Sequence, residues 1–234
     1  MNTDRIDFIS SYCDGWCERC SFTMRCSAYA CRVAMAMCED TAQALELAVG
    51  RPHPVDGEPE VPDADFDVEN VLPTAEELAE VDRQERSRDA RIRAIPLARR
   101  ARAYSMRSSD WLNDRLDALR ATADAVVAEA LDVVAHDSYF VAAKLHRALD
   151  GRDRHQTGEE VDDHPVQNDW NGSAKIALIS VERSELAWRT IAQATSDDRA
   201  LAFADRLHDI RHLIHQEFSR AMEFVRPGFD EPWR

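Results

Sequence analysis

The sequence predicts an all-α protein, in which an N-terminal helical hairpin with a four-cysteine metal-binding loop precedes a helical bundle. Apolar residues recur at helical spacing from Thr74 to Phe224, and no alternating strand pattern of useful length interrupts them. The 234 residues include only seven glycines and nine prolines, too few for the many turns of an all-β protein. All six cysteines lie between Cys13 and Cys38, which directs attention to the N-terminus.

The N-terminal region, residues 1–50, is predicted to form the hairpin. Its elements in order are a short amphipathic helix at 3–12, a cysteine loop at 13–26 and a second helix at 27–48. Thr3 is a suitable N-cap for the first helix. Gly50 follows the second helix at a position where glycine commonly ends helices, and prolines follow it.

The rest of the chain is predicted as an acidic, proline-rich linker (51–73), an α-helical bundle (74–225) and a tail (226–234). Five prolines and little apolar surface favour an extended or poorly ordered linker. Thr74 and Glu77 have the spacing of a capping box, which marks the first helix of the bundle. A polar loop is expected at 151–172. Later helix starts or caps are predicted at Pro96, Ser108 or Ser109, Ser173 and Ser196.

Charge and hydropathy limit the classes of function. Lysine and arginine number 29 against 44 acidic residues, a net charge of −15, so the chain is a poor general binder of nucleic acid. No run of about 18 apolar residues is present, so no membrane span is expected. The first ten residues lack the apolar core of a signal peptide. We therefore expect a cytoplasmic protein with reduced thiols.

One segment departs from the acidic average. Residues 83–107 contain nine arginines against Glu85 and Asp89, directly after a strongly acidic stretch. A solvated face whose charges pair with carboxylates is the interpretation we favour. An arginine-rich helix that binds nucleic acid or an acidic partner, with the acidic linker as an internal competitor, is the alternative.

Four cysteines form the candidate metal site. Cys13, Cys17, Cys20 and Cys26 have the spacing C-x3-C-x2-C-x5-C, close enough for four thiolates to meet at one centre. A [4Fe–4S] cluster takes one thiolate per iron, and a compact run of four cysteines is typical of that ligation. Zinc in a closed site of four thiolates is the alternative. A hairpin without metal, with reduced or bridged cysteines, is the third possibility.

Part of this motif resembles a known signature. Cys13, Cys17 and Cys20 are similar to the C-x3-C-x2-C motif of radical S-adenosylmethionine enzymes over eight residues. That family places the motif after the first strand of a parallel barrel, and no strand is predicted here. Cys26 would also occupy the iron that must stay open for the cofactor. We therefore reject membership of that family.

The remaining candidates are weaker. Cys31 and Cys38 lie seven residues apart on an apolar stripe of the second helix, so we assign them to packing and exclude them from the site. Charged residues that fall on or beside apolar helix faces form a second candidate polar site, because a buried charge needs a partner. Its members are Glu129, His136, Lys144, Glu185 and Glu217. A set of buried ion pairs explains them better than a di-iron centre, since paired Glu-x-x-His motifs are missing.

Two functions follow from these expectations. The first is a four-cysteine iron–sulfur protein with a role in electron transfer or in sensing redox state or iron. The second is a zinc-stapled structural or regulatory module that binds a protein partner or a second copy of itself. No nucleophile elbow, phosphate loop or dinucleotide-binding turn is present, so the sequence assigns no catalytic residue.

Overall fold

The computed structural model describes residues 4–50, 73–159 and 164–230, and within these ranges it contains helices and no strands. The all-α prediction is therefore confirmed for the described chain. Its α-helices are α1 (Ser27–Met37), α2 (Thr41–Val49), α3 (Ala75–Ala94), α4 (Pro96–Arg120), α5 (Ala125–Thr157), α6 (Asp169–Thr195) and α7 (Asp198–Glu217). Residues 51–72, nearly all of the predicted linker, lie outside the described residues.

Contacts between Cα atoms divide the chain into two units. The first unit comprises Met1–Ser10 and Cys17–Ser87, and the second comprises Ser11–Trp16 and Arg88–Arg234. Within the described ranges, none of the helices combines the length and apolar character needed to cross a membrane.

In the first unit, the predicted helix at 27–48 is wrong as a single element, because it breaks into α1 and α2. The Asp40 carboxylate accepts a hydrogen bond from the Gln43 amide at 2.7 Å and so caps α2. The two helices pack through Ala34, Ala44 and Ala48, whose small side chains allow close approach. Gly50 ends α2 with a φ of 85°, as the sequence predicts.

The predicted helix at 3–12 is also wrong over its described residues. Only Ile9–Tyr12 is helical, as one turn of 3-10 helix. Further 3-10 turns follow at Cys17–Arg19 and Thr23–Arg25. A helix this short has too few backbone hydrogen bonds to stand alone, so it depends on its neighbours. The predicted pair of helices at 3–12 and 27–48 is therefore not formed. The described chain forms short 3-10 turns, and these are followed by α1 and α2.

The second unit is built around four helices. Each of α4, α5 and α6 packs on the next helix along the chain, and α7 packs on both α6 and α4, which closes the ring. Trp111, Trp188 and Tyr104 are fully buried among them. The indole N–H of Trp188 donates to the Tyr104 hydroxyl at 2.9 Å, which satisfies a polar group inside the core. Burial raises the pKa of that phenol far above its ordinary value of 10.

Helix starts in this unit agree with the sequence only in part. The Thr74–Glu77 capping box of α3 is confirmed, with the Glu77 amide donating to the Thr74 hydroxyl at 3.2 Å. Pro96 is confirmed as the first residue of α4. Ser108 and Ser109 cap nothing, because α4 runs through them and the Ser108 hydroxyl donates to the Tyr104 carbonyl at 2.8 Å.

The predicted loop at 151–172 is too long at both ends. At its start α5 continues through Gly151 and ends at Gly158, whose φ is 76°. At its end Asn168 caps α6 by accepting a hydrogen bond from the Asn171 amide at 2.9 Å, so Ser173 lies inside the helix. Asp197, one residue after the predicted Ser196, caps α7.

Candidate metal centre

The cysteine loop is a run of tight turns with free thiols. All six cysteines are unbridged and half-buried. Gly15 has a φ of 73°, a left-handed conformation that glycine adopts without strain. The 3-10 turn at Cys17–Arg19 brings the Cys20 amide to the Cys17 carbonyl at 3.2 Å. The sequence between the cysteines therefore folds into turns, as a loop of closely spaced ligands requires.

Backbone amides point at three of the four predicted ligand sulfurs. The amides of Gly15, Phe22 and Tyr29 each donate to a sulfur at 3.4 Å; the acceptors are Cys13, Cys20 and Cys26 in that order. Cys26 is the N-cap of α1, so its sulfur also lies at the positive end of a helix dipole. Backbone N–H groups that donate to cysteine sulfurs are also found around the sulfur ligands of iron–sulfur clusters.

The fourth sulfur, that of Cys17, has a different environment. Burial raises the pKa of the Cys17 thiol, and although Arg32 opposes this, the charges of Glu18 and of the Cys26 and Cys20 thiols raise it further. Cys17, Cys20 and Cys26 therefore lie close enough within the first unit to interact electrostatically. Cys13 belongs to the second unit.

In the part of the chain that the structure describes, the side chains form no ligand geometry for a bound ion. Among residues 4–50, 73–159 and 164–230, no three His, Cys, Asp or Glu side chains are arranged to hold a metal ion. The four-cysteine site therefore stays a prediction. Of the aromatic and sulfur-containing side chains beside the cysteines, Phe22 is buried and Met24 is exposed, while Trp16 packs against His136 with ring centroids 4.6 Å apart.

Cys31 and Cys38 lie in a different setting from the other four cysteines. Both pack against the small apolar cluster between α1 and α2. The Cys38 amide donates to the Ala34 carbonyl at 2.9 Å and closes the end of α1. These contacts are those of small apolar residues, although both side chains remain partly exposed.

The segment Ser11–Trp16 is bound to the helices of its own unit by several contacts. The Lys144 ammonium donates to the Ser11 carbonyl at 3.2 Å. Burial lowers the pKa of Lys144, and the nearby charge of Arg147 lowers it further. Tyr12 packs on Phe224 with ring centroids 4.6 Å apart. The chain around Cys13 is thus positioned by its neighbours on both sides.

A buried carboxylate anchors the end of this segment. Asp137 has no exposed surface, and Arg183 binds it with two N–H donors at 3.0 and 2.7 Å. The Ser184 hydroxyl donates to it at 2.9 Å, and His136 lies 2.8 Å away. Arg183 also reaches Asp14 at 2.7 Å, so one guanidinium joins two carboxylates.

Asp14 is held ionised by this arrangement. Burial raises the pKa of its carboxyl, but the hydrogen bonds from Arg183 and from the Trp16 amide outweigh burial and leave the pKa below its usual value. The Arg183 guanidinium lies 5.3 Å from the centre of the Trp16 ring, a cation–π distance. Asp14 and Trp16 stand between Cys13 and Cys17 in sequence, so the loop itself supplies these anchors.

The second candidate polar site is dispersed among separate contacts. Glu129 is exposed. His136 contacts Asp137, and Lys144 binds the Ser11 carbonyl, as described above. Glu217 forms an ion pair with Arg152 at 2.9 Å. These residues and Glu185 do not surround one centre.

Glu185 is the most buried carboxylate of that group. Its side chain is 12% exposed and lies 3.1 Å from Arg189, 3.6 Å from Arg211 and 3.7 Å from His208. The sequence does not predict these partners, because a helical wheel identifies a face of a helix but not the side chain opposite it. Arg183 lies off the apolar stripe of α6, so the helical wheel does not identify it as a site residue either.

Comparisons with known proteins identify no relative of this chain. No protein-family model matches it, and no curated protein or solved structure matches it either. The chemistry of the side chains is thus the basis on which a function can be proposed.

Proposed function

We propose that this is a cytoplasmic metal-binding protein in which Cys13, Cys17, Cys20 and Cys26 hold an iron–sulfur cluster. Its role would be electron transfer or the sensing of redox state or iron. The observation that supports this most is the set of backbone amides directed at three of the four sulfurs. Hydrogen bonds to cluster sulfurs are among the factors that set a cluster's reduction potential.

The cysteines are unbridged, so four thiols are present for ligation. Burial, with the neighbouring Cys26 and Cys20, raises the pKa of Cys17, so metal binding would have to displace the proton of this thiol. A cluster would bind thiolates, and backbone amides would donate hydrogen bonds to three of the four ligating sulfurs. Short turns with little core of their own would gain order from ligation.

Zinc is the alternative ion. The Cys17-x-x-Cys20 pair, with the Phe22 amide donating to the Cys20 sulfur, also suits one half of a closed zinc site with four thiolate ligands. In that case the metal would staple the first unit, and the protein would act by binding a partner. Both versions include a protein partner or a second copy, because α1 and α2 expose several large apolar side chains, Met35, Met37, Leu47 and Val49 among them.

The deciding experiment is metal and acid-labile sulfide analysis of the full chain, purified without oxygen. We expect iron and sulfide in equal amounts and a broad absorbance band at about 400 nm. Colourless protein with one zinc would select the alternative. Protein without metal, with Cys13 to Cys26 joined in disulfides, would overturn both.

Six single variants identify the ligands. Cys13→Ser, Cys17→Ser, Cys20→Ser and Cys26→Ser should each remove most of the bound metal. Cys31→Ala and Cys38→Ala are the matched controls and should keep it, at a packing cost of about 1 kcal/mol each. Equal loss in all six variants would show that the ligand set is wrong. Far-ultraviolet circular dichroism checks that each variant keeps its helices.

A further inference from the structure

A cavity of about 620 Å³ opens on the second unit where α4 and the end of α3 face α5. Its floor is apolar and buried, formed by Ile92, Ala101 and Leu145. Met106 and Tyr139 stand on its walls and are 58% and 74% exposed. The volume lies within the range of cavities that hold small organic molecules, about 300–1,000 Å³.

Two arginines at the mouth of this cavity have no acidic partner among the described residues. Arg99 and Arg102 both line it, together with His146 and with Arg93, which is paired to Asp89 at 2.8 Å. The cavity lining therefore contains three arginines, Arg93, Arg99 and Arg102, but only one carboxylate, that of Asp89. Residues three apart on a helix lie on the same face, so Arg99 and Arg102 can reach one anionic group together.

This lack of partners contrasts with the rest of the arginine-rich segment. Six of its nine arginines form ion pairs with described carboxylates: Arg83, Arg86, Arg88, Arg91, Arg93 and Arg100. The charge-paired face expected from the sequence thus accounts for most of the segment. In a chain with 44 acidic residues, two adjacent arginines beside an apolar cavity and without a carboxylate are available for an anion from outside.

We propose that this cavity binds a small amphiphilic anion. Arg99 and Arg102 bind its carboxylate or phosphate group, and its hydrocarbon body lies on Ile92 and Leu145 between the exposed walls. Guanidinium groups bind both kinds of oxyanion through paired N–H donors. The buried apolar floor favours an aliphatic or aromatic body over a free inorganic ion. None of these residues belongs to the cysteine loop, so the proposal is independent of the metal.

The test is calorimetric titration of the full chain with decanoate and with decyl phosphate, each below its micelle concentration. Decanol and decyltrimethylammonium are the neutral and cationic comparisons. We expect saturable binding of at least one anion, with decanol at least about tenfold weaker, which is the difference a charge-assisted hydrogen-bond pair provides. The stronger anion identifies the head group.

Variants separate the cavity from general surface charge. The Arg99→Gln/Arg102→Gln double variant should bind the anion at least about tenfold more weakly. Arg107→Gln/Arg199→Gln removes the same charge from two arginines that line a different depression, and it should bind as the wild type does. Ala143→Trp, at an exposed lining position on α5, should occlude the cavity and abolish binding while the helical content stays unchanged.

Four results would overturn the proposal. One is the absence of binding by either anion, and another is equal affinity for decanol and the anions. The third is unchanged affinity in the Arg99→Gln/Arg102→Gln variant, and the fourth is an equal loss in the Arg107→Gln/Arg199→Gln control.

Discussion

Removal of the Asp137 carboxylate should destabilise the second unit more than any single surface ion pair would. In Asp137→Ala, Arg183 loses two hydrogen bonds and Ser184 loses one, while His136 loses its contact at 2.8 Å. Asp137 is completely buried, so water does not replace these bonds without a local rearrangement. The remaining guanidinium keeps Asp14 as its only carboxylate in the described chain.

The size of the effect follows from how much of the network stays satisfied. Loss of one partner from a fully buried ion pair typically destabilises by about 3–5 kcal/mol. The Arg183 side chain is 28% exposed and retains Asp14, so water and one carboxylate relieve part of that penalty. We therefore expect a decrease in the free energy of unfolding of about 2–4 kcal/mol for Asp137→Ala.

Urea unfolding, followed by circular dichroism, measures this decrease. Ser184→Ala is the graded control, because it removes one donor and should decrease stability by about 1 kcal/mol. Asp137→Asn keeps the shape but loses the charge, so it should fall between the two. A decrease for Asp137→Ala no larger than that for Ser184→Ala would refute the view that Asp137 is the centre of the network.

Two further predictions concern close packing and alkaline pH. Gly172→Ala should destabilise the protein despite a helix-propensity gain of about 1 kcal/mol, because the new Cβ would overlap the Tyr12 ring and lie 2.8 Å from Phe224. In thermal unfolding, the loss should be smaller in a Tyr12→Ala background, where only the contact with Phe224 remains. Burial raises the pKa of Tyr104 above 10, so the folded protein holds the phenol proton more tightly than the unfolded chain does. The stability that this provides is complete below pH 10 and is lost as the pH rises towards the folded-state pKa. The free energy of unfolding should then fall by about 1.4 kcal/mol per pH unit above 10. In Tyr104→Phe it should fall less steeply, and the same slope against pH in this variant and the wild type would contradict the prediction.

Local sequence signals predicted those features that depend on neighbouring residues alone. The Thr74–Glu77 capping box, the start of α4 at Pro96 and the end of α2 at Gly50 all depend on bonds within one turn of chain. These predictions needed no knowledge of what packs against each element.

Features that depend on distant residues could not be predicted in the same way. Gly151 suggested the end of a helix, yet α5 continues because the turn after it is held by ion pairs of Arg152 with Glu217 and of Asp153 with Arg91. The distant partners in those ion pairs cannot be identified from a single sequence. The start of α6 is a different case, because its cap is local: the Asn168 side chain accepts from the Asn171 amide at 2.9 Å, and Ser173 was the wrong choice between two possible caps.

The same limit applies to the candidate site, and it bears on how the first thiolate is positioned. The sequence identifies Cys13 but gives no sign that Asp14 is bound to Arg183, or that the Ser11 carbonyl accepts from Lys144. The first contact joins two side chains, and in the second a side chain donates to a backbone carbonyl. The backbone on either side of Cys13 is therefore held by contacts that involve no cysteine sulfur, and the proposed cluster would need to order only the turns that follow. Loss of metal should consequently leave Ser11–Trp16 in place, a result that amide hydrogen exchange on metal-free protein can check.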